Sequence, residues 1–131
     1  MKTILLVEDS KFLRIANERI LVKAGYQVLS AHDGEEALLV ARKSLPDLII
    51  LDMLLPKLGG PEVLQALKKD PSTTQIPVIV LSGMSQRNEE KLKREGASGF
   101  LEKASLLNDP RLLLDAISRA LVCDTAEVAG K

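Results

Sequence analysis

Aromatic residues are almost missing from this chain: Phe12, Tyr26 and Phe100 are the full set, and there is no tryptophan. That scarcity argues against base-stacking platforms for nucleic acid and aromatic shelves for carbohydrate. An excess of one charge is missing as well. Lys plus Arg number 18 and Asp plus Glu number 18, so the chain lacks the basic surplus of a direct nucleic-acid binder or membrane-surface protein. A single cysteine, Cys123, forms neither an internal disulfide nor a cysteine zinc site, and reads as a small thiol near the C-terminus. The lone histidine, His32, excludes histidine metal clusters and Ser-His-Asp chemistry. Placed before Asp33-Gly34, it reads as a loop residue. Long apolar runs are lacking too. The first stops at Val7, before Glu8-Asp9, shorter than the roughly 7–15 residues of a secretory h-region. No run approaches the ~18 residues of a membrane span. The default compartment is the cytoplasm, and no membrane partner is expected.

What is present is an alternation of short aliphatic runs and longer amphipathic stretches. Thr3–Val7 reads as a strand buried on both faces. Ser10 is suited to cap a helix in which Phe12, Ala16, Ile20 and Ala24 recur at i+4, with Gly25 at its C′ position. Tyr26–Ser30 is a second strand. Asp33-Gly34-Glu35-Glu36 opens a second helix, its acids complementing the macrodipole. Asp47–Leu51 follows Pro46 as a third strand. Pro61 suits the first turn of a helix reaching about Lys69. After the loop Asp70–Thr74 come Pro77–Ser82 and Ser98–Glu102, strands four and five, and a last helix beginning near Pro110. The expected domain covers residues 1–123, and residues 124–131 read as a flexible tail or linker stub. Strand–helix alternation of this kind predicts an α/β fold, a doubly wound parallel sheet of five strands with five helices. Ligands in such sheets bind beyond the carboxyl ends of the strands.

Those ends carry the chemistry. Strand one ends in Glu8-Asp9, strand three in Asp52, strand four in Ser82-Gly83, and Lys103 follows strand five directly. Three carboxylates in one cleft repel, and a hard divalent cation such as Mg²⁺ relieves the repulsion. Lys103 can balance the remaining charge or hold an anion. Ser82 offers a donor, and Gly83 has no side chain to block its N–H. Together these groups suit phosphoryl transfer, with Asp52 as a carboxylate nucleophile. Any one of them alone is an ordinary cap, turn or solvated charge; their convergence is what points to a site. An aspartyl-nucleophile phosphatase would want a second acid two residues after the nucleophile, where this chain has Leu54. A nucleotide-binding protein would want a Gly-rich loop after strand one, and there is none.

The stretches Ile4–Ser10, Asp47–Pro56, Gly60, Ile76–Gly83 and Gly99–Lys103 resemble the receiver domain of two-component response regulators. The resemblance covers about residues 3–122. It implies the chemotaxis-type flavodoxin-like fold with strand order 2-1-3-4-5. It makes Asp52 the phosphoacceptor, with Glu8, Asp9, Asp52 and the Leu54 backbone carbonyl holding Mg²⁺ or Mn²⁺. Ser82 matches the hydroxyl switch beside the phosphoryl group, with Gly83 next to it; Lys103 matches the pairing lysine and Phe100 the aromatic switch. The implied donor is a histidine kinase or histidine phosphotransfer protein, and His32 matches no donor position. Output goes to a downstream protein target, not to nucleic acid, through the face of the fourth helix, fifth strand and fifth helix. The chain is expected as a monomer or a phosphorylation-dependent dimer, catalysing only its own phosphorylation and dephosphorylation.

Two departures stand out. Ala104 follows Lys103 where the family usually has a cis proline. A cis non-proline bond costs about 2.5–4 kcal/mol, so this loop either stores strain or is trans, and the position of the Lys103 amine hangs on which. Leu54 and Met84 stand at positions flanking the phosphoryl group, and neither side chain can orient a water. Slow self-dephosphorylation is the expectation. The stretch Gln86–Glu95 has only Leu92 as an aliphatic residue, which predicts a weakly anchored fourth helix that moves first when the Ser82 loop shifts.

Overall fold

The computed structural model of the chain describes residues 2–53, 55, 58–83 and 89–129. The expectations for Leu54, Met84 and residues 86–88 lie outside these.

Each apolar run forms a strand where the sequence places one, shifted by a residue at most at its start. They are β1 (Thr3–Val7), β2 (Gln27–Ala31), β3 (Leu48–Asp52), β4 (Val78–Ser82) and β5 (Gly99–Glu102). The helices are α1 (Lys11–Lys23), α2 (Gly34–Ser44), α3 (Gly60–Lys69), α4 (Glu89–Arg94), α5 (Lys103–Asn108) and α6 (Arg111–Ala129). The expected five-helix, doubly wound fold is present, and the six-residue α5 is an addition ahead of the last helix. That last helix continues past 123 to Ala129, through residues expected as tail.

Local chemistry sets the boundaries. The Leu13 N–H donates to Ser10 Oγ at the start of α1, and the Glu36 N–H to Asp33 Oδ1 at the start of α2. Pro61 sits in the first turn of α3, where its missing N–H costs nothing. At the far end of α2 the chain turns left-handed at Leu45, just before Pro46.

All five strands run parallel in the order β2-β1-β3-β4-β5. β3 is central, and every residue of β3 and β4 is buried. Alternation along the strands sends side chains to two separate cores. Leu5, Val7, Ile49, Leu51, Val78 and Val80 pack with Ala37, Ala41, Val63, Leu67 and Leu92 on the α2–α3–α4 side. Ile4, Leu6, Leu48, Ile50, Ile79 and Leu81 pack with Leu21, Leu113 and Ile117 on the α1–α6 side.

One sequence expectation fails here. The i+4 row of Phe12, Ala16, Ile20 and Ala24 makes Phe12 a core residue of α1, yet it is 77% exposed, and the fully buried residue of that helix is Leu21. An i+4 row advances about 40° per step around a helix, so a series from 12 to 24 cannot stay on one face. Phe12 instead borders a cleft of about 190 Å³ between α1 and the α5–α6 segment, with Leu13, Ile20, Leu106 and Pro110 among its walls. Tyr26 does pack against the α1–α6 core, as its sequence context suggests.

Candidate functional site

Because the strands are parallel, their last residues share one edge of the sheet. Register then sets the depth of each group: Asp52 pairs with Leu81, and Ser82 with Glu102, immediately before Lys103. Glu8 leaves β1 with its N–H bonded to the Ala31 carbonyl at 3.0 Å. Glu8, Asp52 and Ser82 are buried, whereas Asp9 and Gly83 are exposed.

Lys103 reaches into this edge. Its Nζ lies 2.7 Å from Asp52 Oδ2 and 3.3 Å from Glu8 Oε1. No cis peptide bond occurs among the described residues, and Lys103 itself begins α5. With Ala104 next, the chain passes straight from β5 into a helix, and the amine is still delivered to the carboxylates.

Glu8 is held from several directions. The Ser10 N–H donates to its Oε2 at 3.2 Å, and Arg14 Nη1 donates to its backbone carbonyl at 2.8 Å. Its other oxygen, Oε1, is buried and accepts no hydrogen bond. The carboxyl is pushed up from 4.5 to about 7, first by burial and then by a hydrogen bond and repulsion from Asp52, with Lys103 pulling the other way. Burial by itself lowers the Lys103 pKa; the hydrogen bond and charge of Asp52, with Glu8 adding to them, outweigh it, and the net direction is upward.

One carboxylate oxygen from each of Glu8, Asp9 and Asp52 falls within 4.8 Å of the others, close enough for one divalent ion to be shared. A buried oxygen that accepts no hydrogen bond and stands 3.3 Å from the Lys103 ammonium, beside a second buried acid and a solvent-facing third, is a donor set that fits Mg²⁺.

Two supports of the site had little signal in the sequence. Arg14, six residues beyond the carbonyl it grips, matches no local motif. Gly60 packs on the backbone just after Asp52: a Cβ there would stand 2.5 Å from Met53 Cα and 2.7 Å from the Asp52 carbonyl oxygen. The sequence shows a glycine there, not its contact. Around Gly83, by contrast, a Cβ would meet nothing within 4 Å among the described residues. Phe100 is half-buried against the α2–α3–α4 core. His32 is exposed, its Nδ1 2.6 Å from Glu36 Oε1, and takes no part in the acidic site.

Known proteins share this fold over nearly the whole chain. The response regulator receiver domain family matches residues 4–118. The chain belongs to this family. This receiver is 34% identical over 122 residues to the protein PilH of Pseudomonas aeruginosa, covering 92% of this chain and 98% of PilH. Among solved structures it is similar to the chemotaxis protein CheY4 of Vibrio cholerae, with TM-score 0.84 and 33% identity over 92% of this chain and 99% of that one. A CheY-like receiver domain protein from Methanospirillum hungatei superposes with TM-score 0.87 at 26% identity, covering 97% and 98% of the two chains. The receiver also matches longer curated relatives, spanning 33% of one and 15% of another. Members of the family act as phosphoacceptors in two-component systems rather than as true enzymes, and membership implies a partner histidine kinase. No helix among the described residues is long and apolar enough to cross a membrane.

Proposed function

We propose that Asp52 accepts a phosphoryl group from a phosphohistidine on a partner histidine kinase or phosphotransfer protein. An Asp52 carboxylate oxygen attacks phosphorus, the phosphorus–nitrogen bond breaks, and the imidazole leaves with its electron pair and takes up a proton. The observation that carries this reading is the Lys103 ammonium 2.7 Å from Asp52 Oδ2, ready to meet the charge of the incoming phosphoryl oxygens. Glu8, Asp9 and Asp52 would hold Mg²⁺ or Mn²⁺, with the Leu54 carbonyl, outside the described residues, as a further ligand. Bound there, the ion would neutralise carboxylate and phosphoryl oxygens.

Ser82, at the end of β4, donates its hydroxyl to the phosphoryl group, beside the Gly83 N–H. Moving the Ser82 loop draws on α4, and Phe100 on β5 follows into the space opened. The altered face, made by α4, β5 and α6, is read by a downstream protein in the cytoplasm, with the receiver acting as a monomer or a phosphorylation-dependent dimer. Near-neutral charge leaves direct nucleic-acid binding without its driving force.

The test is titration of the full chain with Mg²⁺ and beryllofluoride, an acyl-phosphate mimic, and separately with a small phosphodonor. The wild type should respond with chemical-shift or amide-exchange changes within residues 84–105, and Asp52→Asn should not. A silent wild type would remove the reading. A wild type that responds only elsewhere would remove the output face.

A further inference from the structure

Besides Glu8 Oε1, one other buried side-chain oxygen among the described residues accepts no hydrogen bond: Glu95 Oε2, just beyond α4. A buried unpaired acceptor forgoes the hydrogen bond that water would give it, so its surroundings matter. The next residue is Gly96, left-handed at φ +113°, and a Cβ there would lie 2.8–3.2 Å from Cγ, Cδ and Cε of Lys68. The turn after α4 therefore rests on the methylene stem of a lysine from α3.

That lysine is itself incompletely matched. Lys68 Nζ donates to the Thr74 carbonyl at 3.1 Å and the Ile76 carbonyl at 2.8 Å. Both partners are neutral, and no carboxylate among the described residues pairs with it. An ammonium has three hydrogens, so one donor is left over. Burial holds its pKa below the usual lysine value. One contact thus brings together a half-buried cation without a counter-ion and the neighbour of a carboxylate with an unpaired buried oxygen.

The C-terminal side of α4 is tied to the sheet. Near its C-terminal end Leu92 and Ala97 are buried, the Ala97 N–H closes on the Leu92 carbonyl, and the Ser98 N–H ties to Val78 of β4. Towards its start, Glu90 and Lys91 are exposed. A helix fastened at one end moves by pivoting there. We propose that Lys68 and Glu95 are two halves of a latent ion pair: when Asp52 is phosphorylated, α4 pivots at Gly96 on the Lys68 stem and Glu95 turns onto Lys68 Nζ. The pair stabilises the shifted position of α4, and this rests on the reading of Asp52 as phosphoacceptor. Both residues are positioning residues, remote from the reacting atoms.

A double-mutant cycle on the full chain tests it, with Glu95→Gln, Lys68→Met and the double variant. Lys68→Met keeps the apolar stem, so the Gly96 contact survives. Apparent affinity for beryllofluoride with Mg²⁺ is read by ¹H–¹⁵N shifts, and stability without the mimic by urea unfolding. Glu95→Gln should weaken beryllofluoride binding about threefold with Lys68 present and leave it unchanged beside Lys68→Met. Urea unfolding should show no coupling between the two sites. Equal loss in both backgrounds, no loss in either, or coupling already present without beryllofluoride overturns the proposal. A wild type that ignores beryllofluoride overturns the Asp52 reading instead, and the pair falls with it.

Discussion

Lys103 Nζ sits 2.7 Å from Asp52 Oδ2 although the residue after the lysine is Ala104 and no cis peptide bond occurs among the described residues. The helical start of α5 performs the placement: Lys103 is its first residue, directly after β5, so the side chain leaves the sheet edge already aimed across it. Replacing it tests how much of the chemistry depends on that charge. Lys103→Met should slow acceptance from a small phosphodonor by about 10²-fold, the usual loss for one preorganised charge-stabilising donor. Rates of phospho-Asp52 formation measured by intact mass would check it; a change under threefold would remove Lys103 from the reaction.

Glu8 makes stability depend on pH in an uncommon direction for a carboxyl. Its folded pKa is raised, from 4.5 to about 7, so between those values the folded state binds more protons than the unfolded one. Stability is then full below about 4.5 and declines as pH rises towards 7. The loss is at most about 3 kcal/mol. Glu8→Gln should flatten the slope of urea-unfolding free energy against pH in metal-free buffer. Added Mg²⁺ should restore wild-type stability above pH 7, where the carboxylate is free to bind it.

Gly60 and Gly83 should respond oppositely to the same substitution. At Gly60 a methyl meets Met53 Cα and the Asp52 carbonyl, both backbone, so Gly60→Ala should cost roughly 2–3 kcal/mol. Gly83→Ala meets no atom of the described residues within 4 Å and should stay within about 0.5 kcal/mol. Thermal unfolding of the two variants side by side decides the matter.

In α1 the costs should follow burial rather than hydrophobicity. Leu21→Ala removes a side chain with no exposure and should cost about 2–5 kcal/mol. Phe12→Ala removes one that is 77% exposed and should cost under about 0.5 kcal/mol.

How far the sequence carried follows from what period and spacing encode. The strand ends were legible because apolar runs stop abruptly at acids, a serine or a lysine, and parallel topology collects those stops on one edge. Phe12 departs from the inward face that its i+4 row predicts because a helical row drifts, and twelve residues of drift carry it off the face. Arg14 and Lys68 were not legible at all. Each grips a backbone carbonyl, and a carbonyl has no letter in the sequence.

Leu54→Asn addresses turnover. With Leu54 and Met84 at the two positions expected to flank the phosphoryl group, neither side chain can hold a water by hydrogen bond. Introducing an amide at 54, which can orient a water by hydrogen bond, should shorten the lifetime of phospho-Asp52. An unchanged or longer lifetime, followed by decay of the phosphorylated mass, would refute the assignment.

The two cores on either side of the sheet have a mechanical consequence. β3 and β4 are buried along their whole length and tightly filled on both faces, and close-packed interiors yield very little. A disturbance at Asp52 has no soft route down the axis of its own strand. On the proposed reading of Asp52, its way out would run sideways along the rim, past Ser82, to β5, where each residue is only half-buried and no further strand lies beyond among the described residues. The rigid middle of the molecule acts as an anvil between two more exposed margins, β2 and β5.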